Sequence, residues 1–307
     1  MSYSYGDRLA LDRLSLDVPA GAIFGLLGPN GSGKSTLLSL LISRRRAASG
    51  EIGQLGQPLA PRLRARVGIV FQEPSLDASM TVLETLHLQG RVFGLPRAET
   101  ARRAAELLDR VGLADRARAM TPTLSGGMKR RLELARALIT KPELILLDEP
   151  TLALDPDSRQ RLWQHLLEAN ASGSTLLLAT NDVHEAERYC QRVALLDTGR
   201  LVAEGTPPEL KRGLRRDAVR IEWRAEPGPE VETMASWPGV GHVREAGRVT
   251  HATVDDASPF LAQLFQSAGD RVSGVRIEES TLEDVYFQLV GRGIAPHAEP
   301  DDAEAPV

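Results

Sequence analysis

The sequence predicts an α/β fold, a parallel sheet of buried strands, followed by a smaller α+β unit. Three observations predict it. Residues 22–27 form an unbroken apolar run that leads into a glycine-rich loop and then a helix-forming stretch. Further apolar runs at 67–71, 144–147 and 175–179 have the composition of strands buried on both faces. Past residue 216 the pattern changes to short alternating strands and amphipathic helices, the layout of a separate domain.

Taken in order, residues 14–18 alternate apolar and polar, as a half-buried strand does, and Pro19-Ala20-Gly21 turns the chain into the 22–27 run. Residues 34–43 continue as the helix that the glycine-rich loop opens. Helical spacing of apolar positions recurs at 98–111 and 128–140. The runs 193–196 and 201–203, joined through Asp197-Thr198-Gly199, form a hairpin pattern. A short basic stretch at 211–216 marks the boundary between a large domain, 1–215, and a small one, 216–292. In the small domain 219–223, 249–254 and 272–277 read as strands, and 259–268 and 281–290 as helices. Residues 293–307, rich in Ala, Pro, Asp and Glu and without periodicity, read as a disordered acidic tail.

Composition narrows the function. Across 307 residues, 37 basic side chains face 41 acidic ones, which removes the basic excess that a nucleic-acid partner requires. The single cysteine, Cys190, allows no internal disulfide and no cysteine-only metal cage, and suits a reducing compartment. No basic-then-apolar leader and no run of about 18 apolar residues is present. A membrane role would therefore need a second polypeptide to supply the crossing.

The densest local signal is Gly28-Pro29-Asn30-Gly31-Ser32-Gly33-Lys34-Ser35, followed by Thr36, a full G-x-x-x-x-G-K-[ST] pattern. Its glycines let backbone N–H groups turn inward around phosphate oxygens, and the following helix offers a positive N-terminus. Lys34 supplies a charge for the β- and γ-phosphates of ATP, and the Ser35 hydroxyl a ligand for Mg²⁺. A second signal is the apolar strand 144–147 ending in Asp148-Glu149. Carboxylates there sit at the carboxyl edge of the sheet, where open α/β folds bind ligands. Asp148 suits Mg²⁺ through its water shell, and Glu149 suits the general base that polarises an attacking water.

These two motifs specify a P-loop nucleotide hydrolase. Leu124-Ser125-Gly126-Gly127-Met128, opening a helix, resembles the LSGGQ signature of the ABC ATPase family, with Met128 in place of the usual Gln. By itself the stretch is also an N-cap followed by a glycine turn. The resemblance covers about residues 3–215 and implies the ABC ATPase fold: a mixed central sheet, an antiparallel β subdomain and a helical subdomain. It implies that Ser125, Gly126 and Gly127 grip an ATP held on the opposite subunit. It matches Tyr5 to the aromatic that stacks on adenine, with Tyr3 as the competing candidate. It matches Gln72 to the Q-loop glutamine, which contacts Mg²⁺ and water. Asp155 matches the D-loop acid at the dimer interface, and also suits a cap for the helix after Pro156.

One departure stands out. Where the family has a switch histidine after strand 175–179, this chain has Asn181. Loss of a preorganised donor to developing charge costs about 2.7–4 kcal/mol, or 10²–10³ in rate, so hydrolysis is expected but slow. His184 lies three residues on; Asp182 and Glu185 read as a capping box that leaves His184 exposed on the first turn of a helix.

The ending Leu282-Glu283-Asp284-Val285-Tyr286 is similar to that of the ATPases of ABC-2-type exporters, the class of the daunorubicin-resistance ATPases; the signature loop and Glu73 after Gln72 also suit that class. The resemblance thus implies an ATP- and Mg²⁺-dependent subunit on the cytoplasmic face of the membrane. It would dimerise with itself or a related subunit and drive an integral-membrane permease through residues 73–95. The other expectation is a nucleotide-binding, hydrolysis-poor regulatory half of a heterodimer, which Asn181 favours and the intact Glu149 opposes. A soluble ABC ATPase acting on ribosomes or DNA fits less well, since the chain has neither a duplicated domain nor a long coiled-coil insertion.

Overall fold

The computed structural model describes residues 1–42, 45, 48–54, 57–58, 66–73, 75–212, 217–278 and 280–294. The 215/216 boundary and most of the acidic tail expected from the sequence lie outside these residues. The chain divides into two compact units, Met1–Glu204 and from Gly205 onward.

The first unit begins with a hairpin, β1 (Tyr3–Tyr5) and β2 (Arg8–Leu11), which turns at Gly6 with φ 56°. Residues 14–18, expected as a strand, belong to none. Leu14 is buried and Leu16 and Val18 pack against the core, so the alternation is real but marks which side chains face inward. Facing inward does not require a hydrogen-bonded ladder. β3 (Ile23–Leu27) is buried along its whole length and runs into the glycine-rich loop and α1 (Lys34–Leu41). The short pair β4 (Gly53–Gln54) and β5 (Gln57–Pro58) is antiparallel.

β6 (Val67–Val70) ends one residue short of the apolar run that predicts it. Next come α2 (Val82–Val92) and α3 (Arg97–Arg110), the former opened by a full capping box in which Thr81 and Glu84 satisfy each other's backbone N–H. α4 (Gly126–Leu138) starts on the signature loop, with Ser125 as its N-cap. Val82 and Leu86 of α2, Leu107 and Leu108 of α3, and Leu132 and Ala135 of α4 share one apolar cluster, which makes these helices a subdomain.

β7 (Leu144–Asp148), α5 (Pro156–Ala171), β8 (Thr175–Thr180), α6 (Val183–Tyr189), β9 (Arg192–Asp197) and β10 (Arg200–Gly205) complete the unit. The six-stranded order is β10-β9-β3-β8-β7-β6. β9, β3, β8, β7 and β6 are parallel. β10 follows β9 through Thr198 and Gly199, both at positive φ, a connection short enough only for an antiparallel neighbour. The sheet is therefore mixed, and the carboxyl ends of β3, β7 and β8 come together at one edge.

In the second unit α7 (Pro207–Arg212) precedes β11 (Asp217–Trp223), α8 (Glu230–Ala235), β12 (Val240–Ala246), β13 (Val249–Val254), α9 (Ala257–Ala268), β14 (Val272–Glu278) and α10 (Leu282–Val290). The sheet is antiparallel in the order β12-β13-β11-β14. Val219, Ile221 and Trp223 alternate with half-buried neighbours along β11 and pack with Phe260 and Leu264 of α9. α10 has Thr281 and Asp284 as a capping box and ends on Gly291 at φ 81°, a C-terminal stop that favours glycine. Among the described residues no helix is long and apolar enough to cross a membrane.

Candidate functional site

The loop after β3 depends on its glycines. A Cβ on Gly28 would lie 2.3 Å from the Leu196 carbonyl oxygen, and one on Gly33, at φ 106°, would lie 2.7 Å from Leu11 Cδ2. Only glycine allows the backbone to pass this close to β9 and β2. The loop curls around Lys34, whose buried ammonium donates to the carbonyls of Gly28 at 2.7 Å and Pro29 at 3.2 Å. Burial lowers the Lys34 pKa, and the nearby carboxylates of Glu149 and Asp148 act in the opposite direction. The Ser32 hydroxyl, also buried, lacks a protein partner. A cation and a hydroxyl folded into a glycine cradle fit a phosphate chain.

β7 brings two acids to the same edge. Ser35 Oγ donates to Asp148 Oδ1 at 3.1 Å. The Ser35 and Asp148 oxygens, with Gln72, which lines a cleft together with Ser35, supply oxygen donors that suit a hard divalent cation such as Mg²⁺. Burial raises the Asp148 pKa and the Ser35 hydrogen bond offsets part of the rise.

Glu149 follows in the left-handed region, φ 44°. Its two oxygens differ. Oε2 lies 3.3 Å from the Thr180 hydroxyl and accepts from the Asn181 backbone N–H at 3.3 Å. Oε1 has no hydrogen-bond partner and lies 3.7 Å from Lys34 Nζ. Burial raises the Glu149 pKa, opposed first by Lys34.

A cleft of about 390 Å³ runs over the loop. Its lining includes Tyr5, Asn30, Gly31, Gly33, Lys34, Ser35, Thr36, Gln72 and Glu149. Tyr5, rather than Tyr3, lines it, and the Tyr5 hydroxyl is 3.4 Å from Thr36 Oγ1. Tyr3 instead accepts from Arg45 at 3.0 Å. Gly28, Pro29, Ser32, Asp148, Ser125, Gly126, Gly127, Asp155 and Asn181 are not among the residues lining this cleft. Ser125 caps α4 by accepting from the Met128 N–H at 3.3 Å, with open space around Gly126. Asp155 caps α5, accepting from the Ser158 N–H at 2.9 Å.

Asp182 accepts from the Glu185 N–H at 3.0 Å, but the expected capping box stays half made. The Glu185 carboxylate is buried and turned inward, to Trp163 Nε1 at 2.7 Å and the Thr180 hydroxyl at 3.1 Å. A buried acid finds better partners among those donors than at the helix start. His184 is exposed on α6.

Three contributors are not apparent from the motifs. Arg8 lines the cleft, its Nη2 only 3.7 Å from where a Cβ on Gly31 would sit. Arg130, within α4, donates to the carbonyls of Glu149 at 2.7 Å and Pro150 at 2.6 Å, and to that of Phe71, just before Gln72. Glu133 holds Arg130 at 3.2 Å and Arg136 at 3.1 Å, and accepts from the Ser75 N–H at 2.9 Å. The available signal was an Arg and a Glu, three apart, on a helix face that is otherwise apolar.

A family model described as ABC transporter matches residues 11–152. A Nod factor export ATP-binding protein I of Cupriavidus metallidurans is 40% identical over 294 residues, covering 94% of each chain. The protein of that name in Rhizobium meliloti is 40% identical over 295 residues, covering 94% of this chain and 86% of its own. Among solved structures, the ATP-binding subunit of an ABC transporter aligns with TM-score 0.65 and 32% identity, over 69% of this chain and 90% of that one. A dimeric ATP-binding cassette in a post-hydrolysis state, bound to ADP and Pi, aligns with TM-score 0.61 and 30% identity, over 67% of this chain and 94% of that one.

Proposed function

The chain belongs to the ABC transporter family as an ATP-binding subunit and ATPase, and from that membership we propose that it drives an ABC-2-type exporter by MgATP-dependent dimerisation. The observation that carries the mechanism is the Glu149 carboxylate, hydrogen-bonded through Oε2 and without a hydrogen bond at Oε1, which faces Lys34 at 3.7 Å. Lys34 and the loop N–H groups bind the phosphates of ATP, with the Tyr5 ring against the base. Ser35, Asp148 and Gln72 would hold Mg²⁺, which neutralises phosphate charge when bound. Water gives a proton to Glu149 Oε1 as its oxygen bonds to the γ-phosphorus. The bond from phosphorus to the bridging oxygen breaks, and its electron pair leaves on ADP.

The motifs occur once each, so one chain supplies half of each of two composite sites. Ser125, Gly126 and Gly127 open α4 with exposed N–H groups suited to the γ-phosphate on a second subunit, and Asp155 stands at the start of α5. On α2 the exposed Leu88 and Val92 lie beside Glu84, His87 and Arg91, a mixed surface that suits a permease segment. Such a subunit works at the cytoplasmic face of a membrane that its partner crosses. The role of the relatives in Nod factor export supports the export direction.

Light scattering of Glu149→Gln tests the assembly: MgATP is expected to convert it to a dimer, and a chain that stays monomeric with ATP bound would overturn this proposal. A second reading rests on Asn181, which meets Glu149 through its backbone N–H. A native chain that binds MgATP tightly without turnover, alone or as Asn181→His, would be the regulatory half of a heterodimer.

A further inference from the structure

Thr180, the last residue of β8, stands between two buried carboxylates that no motif connects. Its Oγ1 lies 3.3 Å from Glu149 Oε2 and 3.1 Å from Glu185 Oε2, and it accepts from the Asp182 N–H at 3.0 Å. All three side chains are buried, Thr180 to 1% exposure and Glu185 to 4%. A hydroxyl has one proton, so it can donate to only one of the two acids at a time. Donated to Glu149, that proton fixes Oε2 together with the Asn181 N–H and leaves Oε1 facing Lys34. Donated to Glu185, it leaves Glu149 Oε2 with the Asn181 N–H as its one hydrogen bond, beside the Lys34 ion pair at Oε1.

We propose that Thr180 is the positioning residue of the general base, and that Glu185, held by Trp163, sets which way the Thr180 proton points. The inference rests on the assignment of Glu149 as that base. Glu185 has its own framework. Trp163 Nε1 donates to its Oε1 at 2.7 Å, and the Tyr189 ring stacks on Trp163 with centroids 3.8 Å apart. Thr151, which follows the β7 acids, acts with Trp163 to lower the Glu185 pKa against burial. Burial favours the protonated Glu185, a form that donates to Thr180 Oγ1 and turns the hydroxyl proton to Glu149. With asparagine at the switch position, the hydroxyl and one backbone N–H orient Oε2 of this carboxylate, while Lys34 faces Oε1.

The experiment is steady-state MgATP turnover and nucleotide affinity of the full chain carrying Thr180→Val, Thr180→Ser, Glu185→Gln or Glu149→Gln. Valine keeps the shape of threonine and removes the hydroxyl. Thr180→Val is expected to lose about ten-fold or more in kcat, the scale of one hydrogen bond to a charged group, with KM and MgATP affinity unchanged. Thr180→Ser is expected to restore kcat. Glu185→Gln keeps an acceptor for Trp163 and places an NH₂ on Thr180 Oγ1, so its kcat is expected to equal or exceed the native value.

Native kcat in Thr180→Val, or a change in KM alone, would overturn the positioning role. A fall in Glu185→Gln as deep as that of Thr180→Val would overturn the orienting role of Glu185. Should Thr180→Val fail to bind MgATP, Thr180→Ala and Glu185→Gln carry the same two outcomes. Native turnover in Glu149→Gln would instead sink the base assignment, whatever the Thr180 variants do.

Discussion

The two units bury different things. In the second unit no carboxylate or basic side chain is buried among the described residues, and the buried polar side chains include Thr250, which accepts from Trp223 Nε1 at 2.8 Å. In the first unit Lys34, Arg130, Glu133, Glu149 and Glu185 are all buried, close to the carboxyl edge of the sheet. Burying charge is costly unless every group is paired, and an apolar replacement often stabilises a fold. The first unit retains buried ionisable groups around the site, and most are satisfied by neighbours far away in sequence.

Arg130→Met gives the largest expected break in this contrast. It strands the carbonyls of Phe71, Glu149 and Pro150 and removes one partner of Glu133. Breaking one side of a buried pair costs about 3–5 kcal/mol. Denaturant unfolding is expected to show a loss of that size, whereas a loss below about 1 kcal/mol would mean that the network is not structural.

Leu264→Ala is the counterpart in the second unit. Leu264 is 0% exposed within the α9 cluster, and its truncation is expected to cost about 2–5 kcal/mol. Calorimetry is expected to show the second unit melting at lower temperature. An unchanged melt would contradict the packing described for α9.

The smallest effect sharpens the comparison through pH. Burial raises the Glu185 pKa above its ordinary 4.5. A carboxyl raised by folding adds its full stability below pH 4.5, and that contribution is lost as pH rises through the folded value. Glu185→Gln does not titrate. Thermal melts across pH are therefore expected to show the native chain losing ground to Glu185→Gln as pH rises above about 4.5. Parallel curves would contradict the assignment.

These contrasts also explain what was legible in the sequence. The glycine loop was legible because covalent geometry dictates it: no other residue fits Gly28 against the Leu196 carbonyl. The parallel strands were legible because burial on both faces writes a continuous apolar run, as in β3 and β8. Residues 14–18 misled because alternation reports facing and not pairing. α2 carries its own sequence signal, Thr81 and Glu84 at capping-box spacing. Arg130, Thr180 and Glu185 were not legible as site residues, since their partners at Phe71, Glu149 and Trp163 are joined only by the fold.

The central claim is that Glu149 is the base of an MgATP hydrolase. MgATP turnover by the purified native chain, beside Glu149→Gln, tests it most directly. The account predicts that native turnover falls by about 10²–10⁴ in Glu149→Gln while MgATP binding persists. Turnover in Glu149→Gln equal to the native rate would contradict it, because the oxygen facing Lys34 would then have no part in the chemistry.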